Sequence, residues 1–358
     1  MAPHIQHNSW FSSGLTRTGV NEGWMDFTPG HFSEIPGLMS HLADVVMAIV
    51  SPLDKHGYFT LGVTVDYTSN AAARARLVIV EVNPNMPRTL GSGHLHVSEV
   101  SYIVEDGSPI AELPDPPITE TDAAIGRYIA ELIEDGSTVQ IGIGGIPNAV
   151  AKLLAEKKDL GIHTEMLTSS IVDLVEAGAV TGKKKTLHPG KIIGNFAFGT
   201  RRLYDFMDDN PSVEMHSVAY TNNPYVIGQN YKMVSINSTL EVDFLGQCAS
   251  ESIGPKQFSG TGGQSDFVRG ANLSPGGKSF MALPSTAKDG KVSRIVPMLA
   301  QGAVVTTSKN DVDHVVTEFG VAKLRGKTAR ERALALISIA HPDFRAELKD
   351  GARKMGLI

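Results

Sequence analysis

In the first third of the chain, apolar residues gather in short β-branched runs, at 44–51 and at 77–82 (Leu-Val-Ile-Val-Glu-Val), each bounded by turn formers. Runs of that length and composition predict buried strands. A short helix is expected ahead of them over 33–42. Residues 112–118 then hold Pro114, Pro116 and Pro117 with neither helical nor strand periodicity. Proline withholds a backbone donor and fixes φ, so this stretch reads as a boundary. A chain of 358 residues exceeds one ordinary core of about 100–150 residues. Two domains are therefore expected, 1–117 and 118–358.

Beyond the boundary the apolar spacing turns helical. Ile125, Tyr128, Ile129, Leu132 and Ile133 recur at helical intervals, with Thr121 or Asp122 as the cap and Gly136 as the stop. A strand is expected over 139–143, followed by Gly142-Ile143-Gly144-Gly145-Ile146-Pro147. A helix opening near Pro147 would bury Val150, Leu153 and Leu154. The next strand is expected over 162–167 and the next helix from Ile171. This strand–helix–strand order implies a parallel pair. Further strands are expected near 191–193, 233–236, 293–296 and 303–306, and helices over 329–354 with a break before Pro342. The fold class is α/β, with mainly parallel sheets flanked by helices.

Open parallel sheets bind ligands beyond the carboxyl ends of their strands, where loops and helix N-termini aim backbone donors. The glycine loop ends one predicted strand and Glu165 ends its neighbour, so both belong to one rim. Backbone N–H groups of such a loop can hold a phosphate or an oxyanion. Pro147 stands where a dinucleotide-binding loop needs its third glycine, which argues against a nucleotide-dependent oxidoreductase. A carboxylate such as Glu165 becomes a useful nucleophile when partly desolvated. Taken singly, the loop reads equally as a structural turn and Glu165 more readily as a hydrogen-bonded strand end. Glu241 and Glu318 also follow apolar stretches but share no strand–helix–strand unit with the loop.

A second glycine loop, 259–267 with Gly262 and Gly263, offers more backbone donors, and Asn222 offers a side-chain amide beside Pro224. His94 and His96 share a strand face without a third ligand, so no metal site is expected. Cys248 is expected to be buried and inert.

Composition narrows the class. Hydrophobic residues at 42% and charged residues at 20% describe a globular chain rather than a disordered one. The net charge of −6 argues against nucleic-acid binding, which needs a dense basic face. The lone cysteine fits a cytoplasmic protein without disulfides. No apolar run approaches the roughly 20 residues of a membrane span, so no membrane partner is expected.

Together, the motifs at 142–147, 163–165, 237–247, 259–267, 282–287 and 315–326 resemble the acetyl-CoA hydrolase/transferase family, most of all its 4-hydroxybutyrate and butyrate:acetate CoA-transferases. The resemblance runs from about Ser9 to the C-terminus. It implies a two-domain class I CoA-transferase fold, usually a homodimer or larger. It also implies acyl-CoA and a small carboxylate as substrates, with no tightly bound cofactor. Within it Glu165 is the nucleophile, passing through an acyl anhydride and a glutamyl-CoA thioester in ping-pong order. Asn222 and Gly263 match positions that stabilise the tetrahedral intermediates. Gly142, Ile143, Gly144, Gly145 and Ile146 resemble the CoA and oxyanion loop, joined by Gly262 and Gly263, and either Leu240 or Glu241 falls where the family contacts CoA. Relatives carry a further segment ahead of Met1, whose lack here would leave apolar surface exposed on the first sheet. Hydrolysis of acyl-CoA on the same residues, or CoA binding without catalysis, are the alternatives.

Overall fold

The computed structural model describes residues 5–358. Its centre is a nine-stranded sheet, ordered Gly320–Lys323, His314–Thr317, Lys278–Ala282, Met233–Ser238, Thr138–Ile141, Gly161–His163, Ile192–Gly194, Val213–Met215 and Leu90–Gly91. Every neighbouring pair is parallel except the hairpin formed by Gly320–Lys323 and His314–Thr317. The edge strand Leu90–Gly91 comes from the N-terminal third, which thereby joins the central sheet by backbone hydrogen bonds.

The two faces of this sheet differ because strand side chains alternate. Val139, Ile141, Ile162, Ile192, Val213, Val234, Ile236 and Phe280 lie on one face, at paired or alternate register positions. They pack in one buried cluster with Ile125, Ile129, Val150, Leu154, Ile171 and Leu174. The three helices supplying those partners are Glu120–Glu131, Gly145–Leu154 and Ser169–Glu176. The opposite face carries Ser279, Ser235 and Gln140 in register, and the Gln140 Oε1 accepts hydrogen bonds from the Ser235 hydroxyl at 2.9 Å and the Ile236 N–H at 3.1 Å. Apolar Met233 on that face packs with Phe267 and Ala271 of the helix Gln264–Leu273. Gln140 and Ser235 are thus tolerated because they bond one another, whereas the buried Ser279 hydroxyl has no partner among the described residues.

The N-terminal third builds a second sheet of three parallel strands, Val45–Val50, Leu77–Val82 and Tyr102–Glu105. Val46, Val50, Val78 and Val80 point into the same buried cluster as the main sheet's helices. Val45, Met47 and Ile49 alternate to the other side and are 45%, 78% and 38% exposed. The proline-rich 112–118 stretch has no helix or strand.

Several expected bounds shift for identifiable reasons. The first helix after the boundary is capped by Thr119, whose hydroxyl accepts from Asp122 N–H while the Asp122 carboxylate accepts from Thr119 N–H. That reciprocal box outcompetes a cap at Thr121 or Asp122. The strand expected over 162–167 is split into Gly161–His163 and Met166–Leu167, because the Glu165 carbonyl turns to accept from the N–H groups of Asn195 and Phe196. No strand forms over 303–306: the Thr306 and Thr307 amides both donate to one carbonyl, that of Cys248, and Val304 and Val305 stay 40% and 44% exposed. The C-terminal helices, Ala329–Ile339 and Arg345–Lys354, break before Pro342 as expected.

Ile129 is fully buried between sheet and helix, so Ile129→Ala should cost ~2–5 kcal/mol in urea unfolding. Tyr225, 77% exposed, is the contrast, and Tyr225→Ala should stay within ~0.5 kcal/mol.

Candidate active site

Glu165 sits where strand geometry stops. The register pairing Val139 with Ile162 places Gly142 beside Glu165 by extension, so the glycine loop and the carboxylate occupy one rim. The Thr164 hydroxyl donates to the Ile141 carbonyl at 3.4 Å and to the Met166 carbonyl at 3.2 Å, which holds the break open on both sides.

The carboxylate meets two groups delivered by distant elements. Asn222, at the end of the short helix Val218–Thr221, donates from Nδ2 to Glu165 Oε2 at 2.7 Å. Asn195 Nδ2 donates to Asn222 Oδ1 at 2.8 Å, which forces the Asn222 amide to present its NH2 to Glu165. Beneath that helix, the His163 Nε2–H donates to the Thr221 carbonyl at 2.8 Å. Burial drives the His163 pKa down to about 3, helped by the Lys185 charge, so the ring stays neutral and holds one tautomer.

The second group is the backbone of Gly263, which begins the helix Gln264–Leu273 and directs its N–H at the same carboxylate. A Cβ at position 263 would lie 1.9 Å from Glu165 Oε2 and 2.3 Å from Asn222 Nδ2. Only glycine admits this approach.

Withdrawal from water pushes the Glu165 carboxyl up to about 7. The Asn222 amide opposes the rise, the Asp266 charge adds to it, and Gly263 N–H and the charge of Asp66 act more weakly in opposite directions. Asp266 itself is raised by burial, although it accepts hydrogen bonds from the Ser33 N–H at 3.0 Å and the Ser33 hydroxyl at 2.9 Å.

The N-terminal third closes the other side. Phe32 N–H donates to the Gly262 carbonyl at 3.4 Å, and the Phe32 ring stacks edge-on against Phe196 at 6.3 Å. Phe11 lies against Gly260 and Gly262. Gly262 has φ +54°, a left-handed turn that keeps a backbone open towards Glu165 Oε1.

The first glycine loop borders a separate cavity of about 270 Å³, lined among others by Gly144, Gly145, Ile146, Leu240, Phe258 and Arg294. Gly144 has φ +129°, and a Cβ on Gly145 would meet Asp122 Oδ2 at 2.3 Å, so both glycines are needed sterically. Gly142 and the 49% exposed Ile143 do not line this cavity. Glu241 does not either; its Oε1 accepts from Ala300 N–H at 2.9 Å. The larger cavity, about 410 Å³, lies under Asp115, Pro116 and Ile118, and none of the strand-tip groups lines it.

Glu318 is occupied structurally, its two oxygens accepting from Ser285 N–H at 2.9 Å and the Ser285 hydroxyl at 2.6 Å. His94 and His96 flank the Tyr58 ring, and Cys248 is buried with its thiol pushed well above the usual range. Asn195, Ser33, Phe11, Phe32 and Arg294 escaped the reading of the sequence, which reached Asp266 only as a member of the 259–267 loop. Asn195 alone left a signal there, as a polar residue directly after the apolar strand Ile192–Gly194.

Residues 1–114 match the acetyl-CoA hydrolase/transferase N-terminal domain and residues 199–352 its C-terminal domain. The chain is similar to succinyl-CoA:cyclohexane-1-carboxylate CoA transferase of Geobacter metallireducens, 58% identical over 100% of this chain and 82% of that one. It is 56% identical to 4-hydroxybutyrate coenzyme A transferase of Clostridium kluyveri, over 99% of this chain and 83% of that one. The crystal structure of RipA from Yersinia pestis superposes with a TM-score of 0.93 at 43% identity, covering 99% of this chain and 82% of that one. Fold and relatives together define a CoA-transferase of the α/β type. The chain belongs to the acetyl-CoA hydrolase/transferase family, and within it is an acyl-CoA:carboxylate CoA-transferase that takes CoA thioesters as substrates.

Two outcomes follow from the packing. Gly263→Ala should displace the carboxylate and break its bond to Asn222, visible as loss of that contact in a crystal structure. The folded Glu165 binds its proton up to about pH 7 while the unfolded one releases it near 4.5, so stability falls as pH rises between those values. Glu165→Gln removes this term: the variant should gain up to ~2–3 kcal/mol over wild type at pH 8 and nothing at pH 4.

Proposed function

We propose that Glu165 carries CoA between an acyl-CoA and a short-chain carboxylate of the 4-hydroxybutyrate, butyrate or acetate type, in ping-pong order. The Glu165 carboxylate attacks the thioester carbonyl, the C–S bond breaks, and an acyl-glutamyl anhydride and CoA thiolate result. The thiolate attacks the glutamyl carbonyl, expelling the first carboxylate and leaving a glutamyl-CoA thioester. The acceptor carboxylate then attacks that thioester and the two steps run in reverse. One carboxylate enters and one leaves, so no net proton is consumed.

The observation that carries this reading is the pairing of a partly desolvated carboxylate with the Asn222 amide at 2.7 Å and the Gly263 backbone. Desolvation makes the carboxylate a better nucleophile, and the donors that hold its oxygen are in place for the oxyanion that forms on that oxygen when the thiolate or the acceptor carboxylate attacks the glutamyl carbonyl. The cavity between Gly144–Ile146 and Leu240 is the space we assign to CoA, which favours Leu240 over Glu241 as the contact. The half-buried Arg294 guanidinium there has an Nε without a partner and suits an anionic or carbonyl-rich ligand. Phe11 packs on Gly260 and Gly262, and Phe32 N–H holds the Gly262 carbonyl, so the 259–263 loop is backed where it meets Glu165, a cover that favours transfer over hydrolysis of the anhydride. The reaction site thus lies where the 1–117 and 118–358 portions meet.

Incubation with acyl-CoA followed by borohydride should convert Glu165 to the alcohol, detectable by mass in its peptide. Glu165→Ala should retain less than about a thousandth of wild-type transfer; retention of full activity sinks the assignment. Thiol release without any acceptor, at the turnover rate, would instead make the chain a hydrolase. Asn222→Ala should lower kcat roughly 10²–10³-fold with the fold intact. Because the ionised form is the nucleophile, kcat/KM should rise with pH to a plateau above about 7.

A further inference from the structure

On the polar face of the sheet, and not among the groups that touch the Glu165 carboxylate, three ligand-type side chains converge. Glu214 belongs to the strand Val213–Met215 and His216 follows that strand, so their spacing of two puts both on one face. His188 arrives from the connection preceding Ile192–Gly194, held in a left-handed conformation at φ +49°. His188 Nδ1 and His216 Nε2 each lie 3.3 Å from the same oxygen, Glu214 Oε2, and the three donor atoms fall within 4.8 Å of one another. All three side chains are half-buried.

The distances discriminate between readings. Charge-assisted N–H···O bonds settle at about 2.7–2.9 Å. Two contacts of 3.3 Å to one oxygen are long for that, but match the edge of a tetrahedron about 2.0–2.1 Å from a central zinc-type ion, which is roughly 3.3–3.4 Å. The support around the donors is also of the kind that fixes metal ligands. His188 Nε2 shares a hydrogen bond of 2.7 Å with the Tyr220 hydroxyl, leaving Nδ1 free to ligate, and Lys191 Nζ holds the other Glu214 oxygen at 3.2 Å.

We propose that His188, Glu214 and His216 form a binding site for one divalent zinc-type cation, with a fourth position open to water. The Lys191 ammonium lowers affinity for a dication, so the site is exchangeable rather than required for folding. Its place gives it a consequence. Tyr220 lies in the helix Val218–Thr221, which ends at Asn222, so an ion that orders His188 also orders the turn presenting the Asn222 amide.

Zinc chloride titrated calorimetrically into the chelator-treated full chain should show one ion bound per chain. His188→Ala and His216→Ala should each weaken binding at least tenfold, while His341→Ala, outside the cluster, should leave it unchanged. Cobalt(II) in place of zinc should give the intense visible bands of a four-coordinate site, lost in His216→Ala. Thermal melting of each variant without metal establishes that it folds. Absence of stoichiometric binding by the wild type, or zinc affinity and cobalt spectra indifferent to His188→Ala and His216→Ala, would overturn the proposal.

Discussion

The Glu165 carboxylate is drawn out of water with no cation beside it among the described residues, and much of the local architecture answers the resulting cost. An ionised group in such a place must either neutralise or find donors, since burial disfavours its charge. Here both happen in part: the pKa rises to about 7, and an amide side chain and a backbone N–H donate to the charged form. Neutral donors stabilise a carboxylate less completely than a guanidinium would. That incompleteness suits the nucleophile role proposed for Glu165, because a tight ion pair would hold its lone pairs in the ground state.

Three elements must be placed within a fraction of an ångström for this to work. The strand break at Thr164–Glu165 turns the side chain to the rim, the Val218–Thr221 helix brings Asn222, and the glycine loop brings Gly263 without a Cβ. Asn195 and neutral His163 secure the second of these. The N-terminal third secures the last, since Ser33 bonds Asp266 in the first turn of the Gln264–Leu273 helix and Phe32 N–H bonds Gly262. A single sheet edge could not supply these groups. The strand Leu90–Gly91 pairs with Val213–Met215 and so ties the N-terminal third to the central sheet.

Much of this was legible in the chain. Leu77–Val82 forms the strand its β-branched run predicts, and the Thr138–Ile141, Gly145–Leu154, Gly161–His163 unit is parallel as its spacing requires. Such patterns survive because apolar periodicity records which side of an element faces a core. Glu165, Asn222 and Gly263 could be named because the residues around each form motifs, and the structure brings all three together. Gly142, Ile143 and Glu241 could be named too, but the cavity is lined by other members of the same motifs. A motif fixes a neighbourhood of chain; which of its side chains turns inward depends on what lies opposite.

By itself, then, the sequence determined the α/β layering and the approximate positions of strand tips and glycine loops. These depend on local periodicity and on steric rules of single residues. Tertiary structure alone decided that Asn195 orients Asn222, that Ser33 meets Asp266 across 233 residues, and that His188 joins Glu214 and His216. Those contacts arise from strand order and register, which are set by how whole faces pack and leave no periodic trace along the chain.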